Sequence, residues 1–339
     1  MAEIRRVLPA DRELLRQVHE VFEAVRAAET PELAPVPAER YGGTLEHPRP
    51  NSEFRCYAAV EDGAVRGQTW VYLPHDENAH YTEVELAVHP GHRRRGLGGA
   101  LLDHLLRLAR DERRSEIVVT VRTAVDGGPD RPDTGARFLE QRGFTAALTE
   151  IHRSLDLGEA DLEAESRLWD ESITSAADYE LVSWTGRTPE HYLDGLGRID
   201  SQIFAEIPLG EVDLRPRAID AAYVRAREDR AEAQGHTMVR TLAVHKQSGD
   251  VVANTLIYVH GEEPHANQAI TIVDPAHRGH RLGLLAKLAN LRQLREHHGG
   301  VTTIWAGNAD TNAGMVAIND RLGFRPVDAL VSYRLKLEA

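Results

Sequence analysis

Apolar residues recur along the chain in two rhythms, and the order of those rhythms runs twice. Residues 3–8 alternate with the two-residue period of a short strand, and Pro9-Ala10-Asp11 then offers a helix start with Asp11 placed to cap it. Leu14, Leu15, Val18, Val21, Phe22 and Val25 return at three- and four-residue intervals, which predicts an amphipathic helix. Residues 30–52 carry five prolines and two glycines and predict an irregular surface segment beside whatever the domain binds. Residues 54–60 and 65–73, around Glu61-Asp62-Gly63, predict a hairpin, and 81–88 its third strand. The chain then breaks at His89-Pro90-Gly91, passes three arginines and enters Gly96-Leu97-Gly98. Leu97, Leu101, Leu105, Leu108 and Ala109 line one face of the helix that follows. A buried strand over 116–123, a helix through Phe138 and Leu139 closed by Gly143, and a strand near 146–155 complete the first pass.

Residues 156–178, rich in Glu, Asp and Ala with Leu162, Leu168 and Trp169 at helical spacing, predict a connecting surface helix. The pattern then restarts: a strand over 179–184, a helical region over 189–205 opened by Thr188-Pro189-Glu190, a loop-like IPLGEVDLRPR segment and a charged helix within 216–234. Strands near 238–245, 251–260 and 269–273, a turn over 277–283, a helix over 284–297, a strand over 301–306 and a final helix and strand follow.

The two passes are copies. Val88-His-Pro-Gly-His-Arg-Arg-Arg-Gly-Leu-Gly98 aligns without a gap on Val273-Asp-Pro-Ala-His-Arg-Gly-His-Arg-Leu-Gly283, with six of eleven positions identical. Gly143-Phe144 is matched by Gly323-Phe324 at an offset of 180. The division expected is an N-terminal domain over 1–157, a connecting helix over 158–178 and a C-terminal domain over 179–339. In each copy a strand feeds a Gly-containing turn that opens a helix, so free backbone N–H groups and the helix dipole can hold a phosphate there.

Composition narrows the partners. A chain of 339 residues with 42% apolar residues has enough material for two cores. With 40 basic against 53 acidic residues, the net of −13 argues against a broad nucleic-acid or anionic-membrane surface. The three arginines of one turn neutralise too few phosphates to hold DNA, for which ~6–10 contacts are typical. One cysteine, Cys56, excludes an internal disulfide and reads as packing. His277 and His280 have H-x-x-H spacing, but Gly279 makes the stretch a loop and no third ligand is apparent, so no metal is expected. The N-terminal stretch lacks a long apolar run and no window has the ~18–20 apolar residues of a membrane span, which makes a cytoplasmic location the expectation.

V-x-P-x-x-R-x-x-G-x-G before an apolar helix, then an apolar strand, then a helix ending in GF, resembles the GNAT superfamily of N-acetyltransferases. The whole chain is similar to the tandem-GNAT proteins common in actinomycetes, with mycothiol synthase as an architectural relative. The resemblance implies two α/β domains, each a twisted mixed sheet splayed between its fourth and fifth strands, with acetyl-CoA in the splay. It implies that the coenzyme A pyrophosphate sits on backbone N–H groups of Arg93, Arg94, Arg95, Gly96 and Gly98, with Ala100 just beyond. The pantetheine arm runs beside Leu86, Ala87 and Val88, where N–H groups at a strand bulge polarise the thioester carbonyl. In the second copy the corresponding cofactor residues are Val273, Arg278, Gly279, His280, Arg281 and Gly283, with Asn308 and Asn312 on a pantetheine-touching loop.

The implied reaction transfers acetyl to the amine of a small molecule by direct attack on the thioester. An alkyl ammonium of pKa ~10 must first lose a proton, and Glu85, with Glu83 on the same face, stands where the family places an acidic residue. The tyrosine that many members carry four residues before the GF glycine is Leu139 in the first copy and Asn319 in the second. The second copy also has Ile270 where Glu85 stands and Arg281 where Gly96 stands. These differences favour the N-terminal domain as catalytic, whereas mycothiol synthase, active through its second domain, points the other way. A non-catalytic acyl-CoA-binding or regulatory protein is the alternative, as is a pair in which one domain catalyses and the other is structural. The acceptor is not legible, and monomer and homodimer both remain open.

Overall fold

A computed structural model describes residues 2–337. In chain order the elements are β1 (Glu3–Val7), α1 (Arg12–Glu29), α2 (Ala38–Glu46), β2 (Ser52–Glu61), β3 (Ala64–Pro74), β4 (Tyr81–Val88), α3 (Leu97–Asp111), β5 (Glu116–Ala124), α4 (Thr134–Glu140) and β6 (Thr145–Asp156). The second pass continues with α5 (Leu162–Ile173), β7 (Tyr179–Thr185), α6 (Leu193–Asp200), α7 (Ile203–Glu206), α8 (Ala221–Ala233), β8 (His236–His245) and β9 (Val251–His260). It closes with β10 (His265–Val273), α9 (Leu282–His297), β11 (Thr303–Ala309), α10 (Ala313–Arg321) and β12 (Arg325–Lys336). The α/β class and the repeated order agree with the sequence pattern. One departure is α2, a helix inside the Pro-rich stretch predicted to be irregular. Its prolines stand outside it, Pro37 at the cap, while Tyr41 and Leu45, four residues apart, pack on the core formed by Val18, Val21, Cys56 and Trp70.

The chain forms two compact units that do not follow its linear halves. The first contains the chain up to Thr149, the segment Leu209–Arg215 and the chain from Ala329; the second contains Glu150–Pro208 and Pro216–Asp328. In the first, strands lie in the order β1-β2-β3-β4-β5-β12; in the second, β6-β11-β10-β9-β8-β7. Each sheet therefore ends on a strand from the other half of the sequence. The division at 157 and 179 does not coincide with these units, and α5 is not a free connector. Glu165 of α5 accepts two hydrogen bonds from Arg295 at 2.7 Å each, and Arg292 lies 4.0 Å over the Trp169 ring, within the second unit. The physical reason is that a long alternating strand can complete the edge of either sheet. The two copies supply interchangeable ones.

Alternation gives the sheet of the first unit two covered faces. Val71, Leu73, Val84 and Val119 face α3 through Leu102, Leu105 and Ala109. On the opposite face Cys56 and Trp70 meet Val18 and Val21 of α1. Farther along that face Tyr72, Tyr81 and Val118 pack against Val212 of the segment Leu209–Arg215. That segment is tied down by Arg215 N donating to Asn78 Oδ1 (2.8 Å), Asp213 N donating to Glu116 Oε1 (3.1 Å) and Glu211 N donating to the Ala147 carbonyl (2.8 Å). Gly210 makes the turn into it with φ +57°, and a Cβ there would run into the Ala147 carbonyl.

The second unit buries a cation. Lys287 of α9 is 1% exposed and donates from Nζ to Asn319 Oδ1 at 2.6 Å; Asn319 Nδ2 donates to Asn308 Oδ1 at 3.0 Å. The Phe324 ring lies 4.8 Å from Nζ. Burial brings the Lys287 pKa down to about 7.

Two outcomes follow from these contacts. In Gly210→Ala the segment Leu209–Arg215 should detach, with faster hydrogen exchange at the amides of Glu211, Asp213 and Arg215 and a destabilisation of roughly 1–3 kcal/mol; unchanged exchange there would contradict the packing described. Lys287 binds its proton more weakly folded, at about 7, than unfolded, at ~10.4. The unfolded chain thus holds the extra proton between those values, and stability should rise with pH across that window. Below it the charged lysine costs on the order of a few kcal/mol. Lys287→Met should remove that rise in a melting series from pH 7 to 10; an unaltered pH slope would show that Lys287 does not carry it.

Candidate active site

The site begins where hydrogen bonding between two parallel strands stops. β4 pairs with β5 only over Tyr81–Val84 against Glu116–Val119, and β10 pairs with β11 only over His265–Gln268 against Thr303–Ala306. Beyond these points Leu86, Ala87 and Val88 line an opening in the first unit and Val273 stands at the end of the matching one in the second. The expected bulge is not in β4, whose register with β3 runs unbroken from Tyr72↔Glu83 to Gly67↔Val88. It lies in β10, between Gln268 and Ile270. There Gln268 fills it, donating from Nε2 to the Leu256 and Ile270 carbonyls at 2.8 Å each.

Both turns have the same backbone. In the first, a short 3-10 turn over Pro90–His92 is capped by His89, which accepts from Gly91 N at 3.1 Å. In the second, Asp274 accepts from Ala276 N at 3.0 Å ahead of Pro275–His277. Left-handed backbone occurs at Arg94 (φ +63°) and Gly96 (φ +86°) in one, and at Gly279 (φ +88°) and Arg281 (φ +56°) in the other. Each turn thus has one glycine and one arginine at the two special positions, in opposite order. The exchange of Gly96 for Arg281 consequently leaves the turn intact, because Arg281 adopts the left-handed cap itself. Among the described residues, the backbone N–H groups of Arg94 to Gly99, and of Gly279 to Leu284, have no hydrogen-bond acceptor. Gly98 and Gly283 keep the first helical turn close to its neighbours: a Cβ would lie 3.4 Å from the Phe138 ring in one and 3.2 Å from Ile318 in the other.

The arginines divide their work. Arg93 does not point away from the protein: Nη2 pairs with Glu29 at 2.5 Å and Nε donates to the Val88 carbonyl at 3.1 Å. Arg131 donates to the Glu29 carbonyl at 3.0 Å and pairs with Glu32, so the end of α1 is held to both the turn and the loop before α4. Arg94 and Arg95 are exposed and have no ion pair or hydrogen bond among the described residues. In the second turn Arg278 pairs with Glu206, His280 Nδ1 lies 3.0 Å from the Ser175 carbonyl, and Arg281 is exposed. Ala100 continues α3, its N–H donating to the Gly96 carbonyl at 3.0 Å. Asn312 caps α10 by accepting from Met315 N at 3.1 Å, and Asn308, 7% exposed, is engaged by Asn319 and the Ala309 carbonyl. Both asparagines are spent on the protein itself.

Glu83 and Glu85 share the face of β4 opposite α3. Glu83 is half-buried and Glu85 is reached by solvent. The protein walls around Glu85, reinforced by Glu83, push its carboxyl above the ordinary range, while Arg49 and Arg122 oppose the shift. Thr69 Oγ1 donates to the Glu85 carbonyl at 2.6 Å and fixes the strand there. Tyr41 Oη accepts from Trp70 Nε1 at 2.6 Å on the same face. The corresponding face of the second unit is apolar and partly covered at the matching position. Ile270 packs with Ala231 of α8, Met238 and Leu256, and Arg240 is fully buried beside Asn254, which donates to Asp200. Sequence reasoning missed Arg49, Thr69 and Glu29. Arg49 sits in a Pro-flanked stretch with no periodic pattern, and the hydroxyl and carboxylate become informative only once the register is known. Leu139 is buried in the α3 core, so neither copy places an ionisable group where the family carries its tyrosine. Among the described residues no group of side chains is arranged to hold a metal ion, and no helix is long and apolar enough to cross a membrane.

Comparison with known proteins agrees with this geometry. Residues 18–129 match the acetyltransferase (GNAT) family. Mycothiol acetyltransferase of Amycolatopsis mediterranei is 29% identical over 338 residues, covering 95% of this chain and 96% of that one. A tandem GNAT protein from the clavulanic acid biosynthesis pathway superposes with a TM-score of 0.84 at 28% identity, over 100% of this chain and 99% of the other. A GCN5-related N-acetyltransferase from Sphaerobacter thermophilus has the same fold, with a TM-score of 0.68 at 16% identity over 100% and 96% of the two chains. GNAT acetyltransferases in general use acetyl-CoA. Residues 18–129 thus form an acetyltransferase domain of the GNAT kind, and over its whole length the chain is similar to tandem GNAT acyltransferases.

Proposed function

We propose that the first unit is the catalytic one, holding acetyl-CoA in the β4–β5 splay and transferring its acetyl group to the amine of a small molecule. The observation that carries this reading is the contrast between the two faces: Glu85 is an acid open to solvent beside the splay, whereas Ile270 in the matching place is apolar and partly buried against the cluster of Ala231, Met238 and Leu256. The unpartnered N–H groups from Arg94 to Gly99 fit a pyrophosphate, and Gly98 admits close approach. Arg94 and Arg95 would attract the anion, and Arg93 would hold the turn rather than touch the ligand. The second turn offers a similar donor set, a second candidate site formed by Val273, Arg278, Gly279, His280, Arg281 and Gly283.

Bound in the splay, the thioester supplies an acetyl carbon open to attack and a thiolate that leaves readily. The chain must then supply a neutral amine. Glu85 takes the ammonium proton, directly or through one water, and its raised pKa brings it nearer the amine it must deprotonate. The nitrogen forms its bond to the acetyl carbon as the carbon–sulfur bond breaks. Glu85 passes the first proton to solvent and can then take the second from the nitrogen, while the thiolate leaves as an anion and draws its proton from solvent. Thr69 keeps Glu85 in register through the backbone.

One observation favours the alternative, a non-catalytic acyl-CoA-binding protein: Leu139 and Asn319 leave both copies without the usual proton donor for the leaving thiolate. Glu85→Gln separates the readings. It should lower kcat about 10²-fold or more while coenzyme A binding by calorimetry stays unchanged. In the parent, kcat/KM should rise with pH through a carboxyl displaced above the ordinary ~4.3; in the variant that limb should vanish. Full turnover in Glu85→Gln would exclude Glu85 as the base. Coenzyme A binding without turnover of any amine in the parent would favour the binding protein.

A further inference from the structure

The acceptor face of the first unit is amphoteric, and this constrains the acceptor. Glu83 and Glu85 of β4 lie on it, and both Arg49, from the loop before β2, and Arg122 of β5 act on Glu85. Arg49 is exposed, and its guanidinium carbon lies 4.7 Å from the centre of the Tyr72 ring and 5.7 Å from that of Phe54. These rings lie beneath the guanidinium, and the Glu83 charge and the Tyr72 hydroxyl act on it, without an ion pair at contact distance. Among the described residues no acid lies within 4 Å of it. An arginine held this way keeps its in-plane N–H fork for a planar anion.

From this juxtaposition we infer that the acceptor is an amine that also carries a carboxylate, an amino acid or a close relative, with Arg49 taking the carboxylate while the amine faces Glu85. The inference rests on the reading that the first unit is catalytic. A simple alkylamine enters as a bare cation toward a face that already holds two guanidiniums, and it brings Arg49 no close anionic partner beyond the more distant charge of Glu83. A zwitterion brings its own negative charge, satisfies the fork and presents its ammonium to the acids. The aromatic walls, Phe54 and Tyr72, add contact area without charge. The two carboxylates and two guanidiniums are balanced, which suits a ligand of no net charge better than a diamine or a sugar phosphate.

The test is a paired panel: the common L-amino acids against the amines formed by their decarboxylation, among them phenylalanine with phenethylamine, histidine with histamine and lysine with cadaverine. Coenzyme A release from acetyl-CoA is followed for each, in the parent and in Arg49→Met and Arg49→Lys. The best pair should show at least a tenfold preference in kcat/KM for the member with the carboxylate, carried mostly by KM. Arg49→Met should collapse that preference to within threefold, and Arg49→Lys should restore part of it. Calorimetry of the corresponding N-acetyl amino acids against N-acetyl amines, with coenzyme A present, should show the same ordering without needing turnover. Amine turnover with no carboxylate preference, or a preference untouched by Arg49→Met, overturns the proposal alone. Coenzyme A binding with neither turnover nor product binding across the panel overturns the proposal and the catalytic reading together.

Discussion

The site depends on four residue pairs. β4 and β5 are hydrogen-bonded from Tyr81 to Val84 and then part, and the turn and strand edge proposed to hold the coenzyme lie past that point. Had the ladder continued, Leu86 to Val88 would have spent their backbone groups on β5 and Glu85 would face a closed sheet. The parting is held from both sides. α3 packs under Val88 through Gly98, and on the far side β5 is bordered by β12, with Thr120 Oγ1 3.3 Å from Ser332 Oγ. An opening in a parallel sheet needs such support, because unpaired strand edges are costly unless another group can use them.

The turn beyond the opening shows how a backbone requirement can be met by different residues. Its two left-handed positions are occupied by Arg94 and Gly96 in one copy and Gly279 and Arg281 in the other. What both copies retain is a run of N–H groups pointing away from the protein at the head of a helix. The copies diverge instead on the opposite face of the sheet. There Glu85 is an exposed acid while Ile270 is apolar and partly buried, and the second copy devotes Asn308, Asn312 and Asn319 to caps and to the buried Lys287. The two copies share the turn and differ in the charge of the face beside it.

Much of this was legible in the sequence, because alternation and helical spacing act locally. The strand over 81–88, the hairpin before it, the helix opened at Leu97 and the duplication could all be read from residue order. Three things could not. α2 hides between prolines, and only the packing of Tyr41 and Leu45 shows why nine residues are helical there. The exchange of last strands between halves leaves no local mark, since β6 and β12 have the same alternating character. Side-chain direction is likewise invisible in a motif. Arg93 reads in sequence as the first backbone N–H of a phosphate site, while its side chain is tied to Glu29, and Asn308 and Asn312, which read as coenzyme contacts, also hydrogen-bond within the protein. Glu85 could be named from its register; Arg49 could not, because its position comes from the rings of Tyr72 and Phe54 beneath it.

The most direct measurement is a crystal structure of the full chain with coenzyme A soaked in. The account predicts density in the β4–β5 splay, with the pyrophosphate on the amides from Arg94 to Gly99 and the sulfur on the side of Glu85. Coenzyme A bound only at the Gly279–Leu284 turn, with the β4–β5 splay empty, would contradict it.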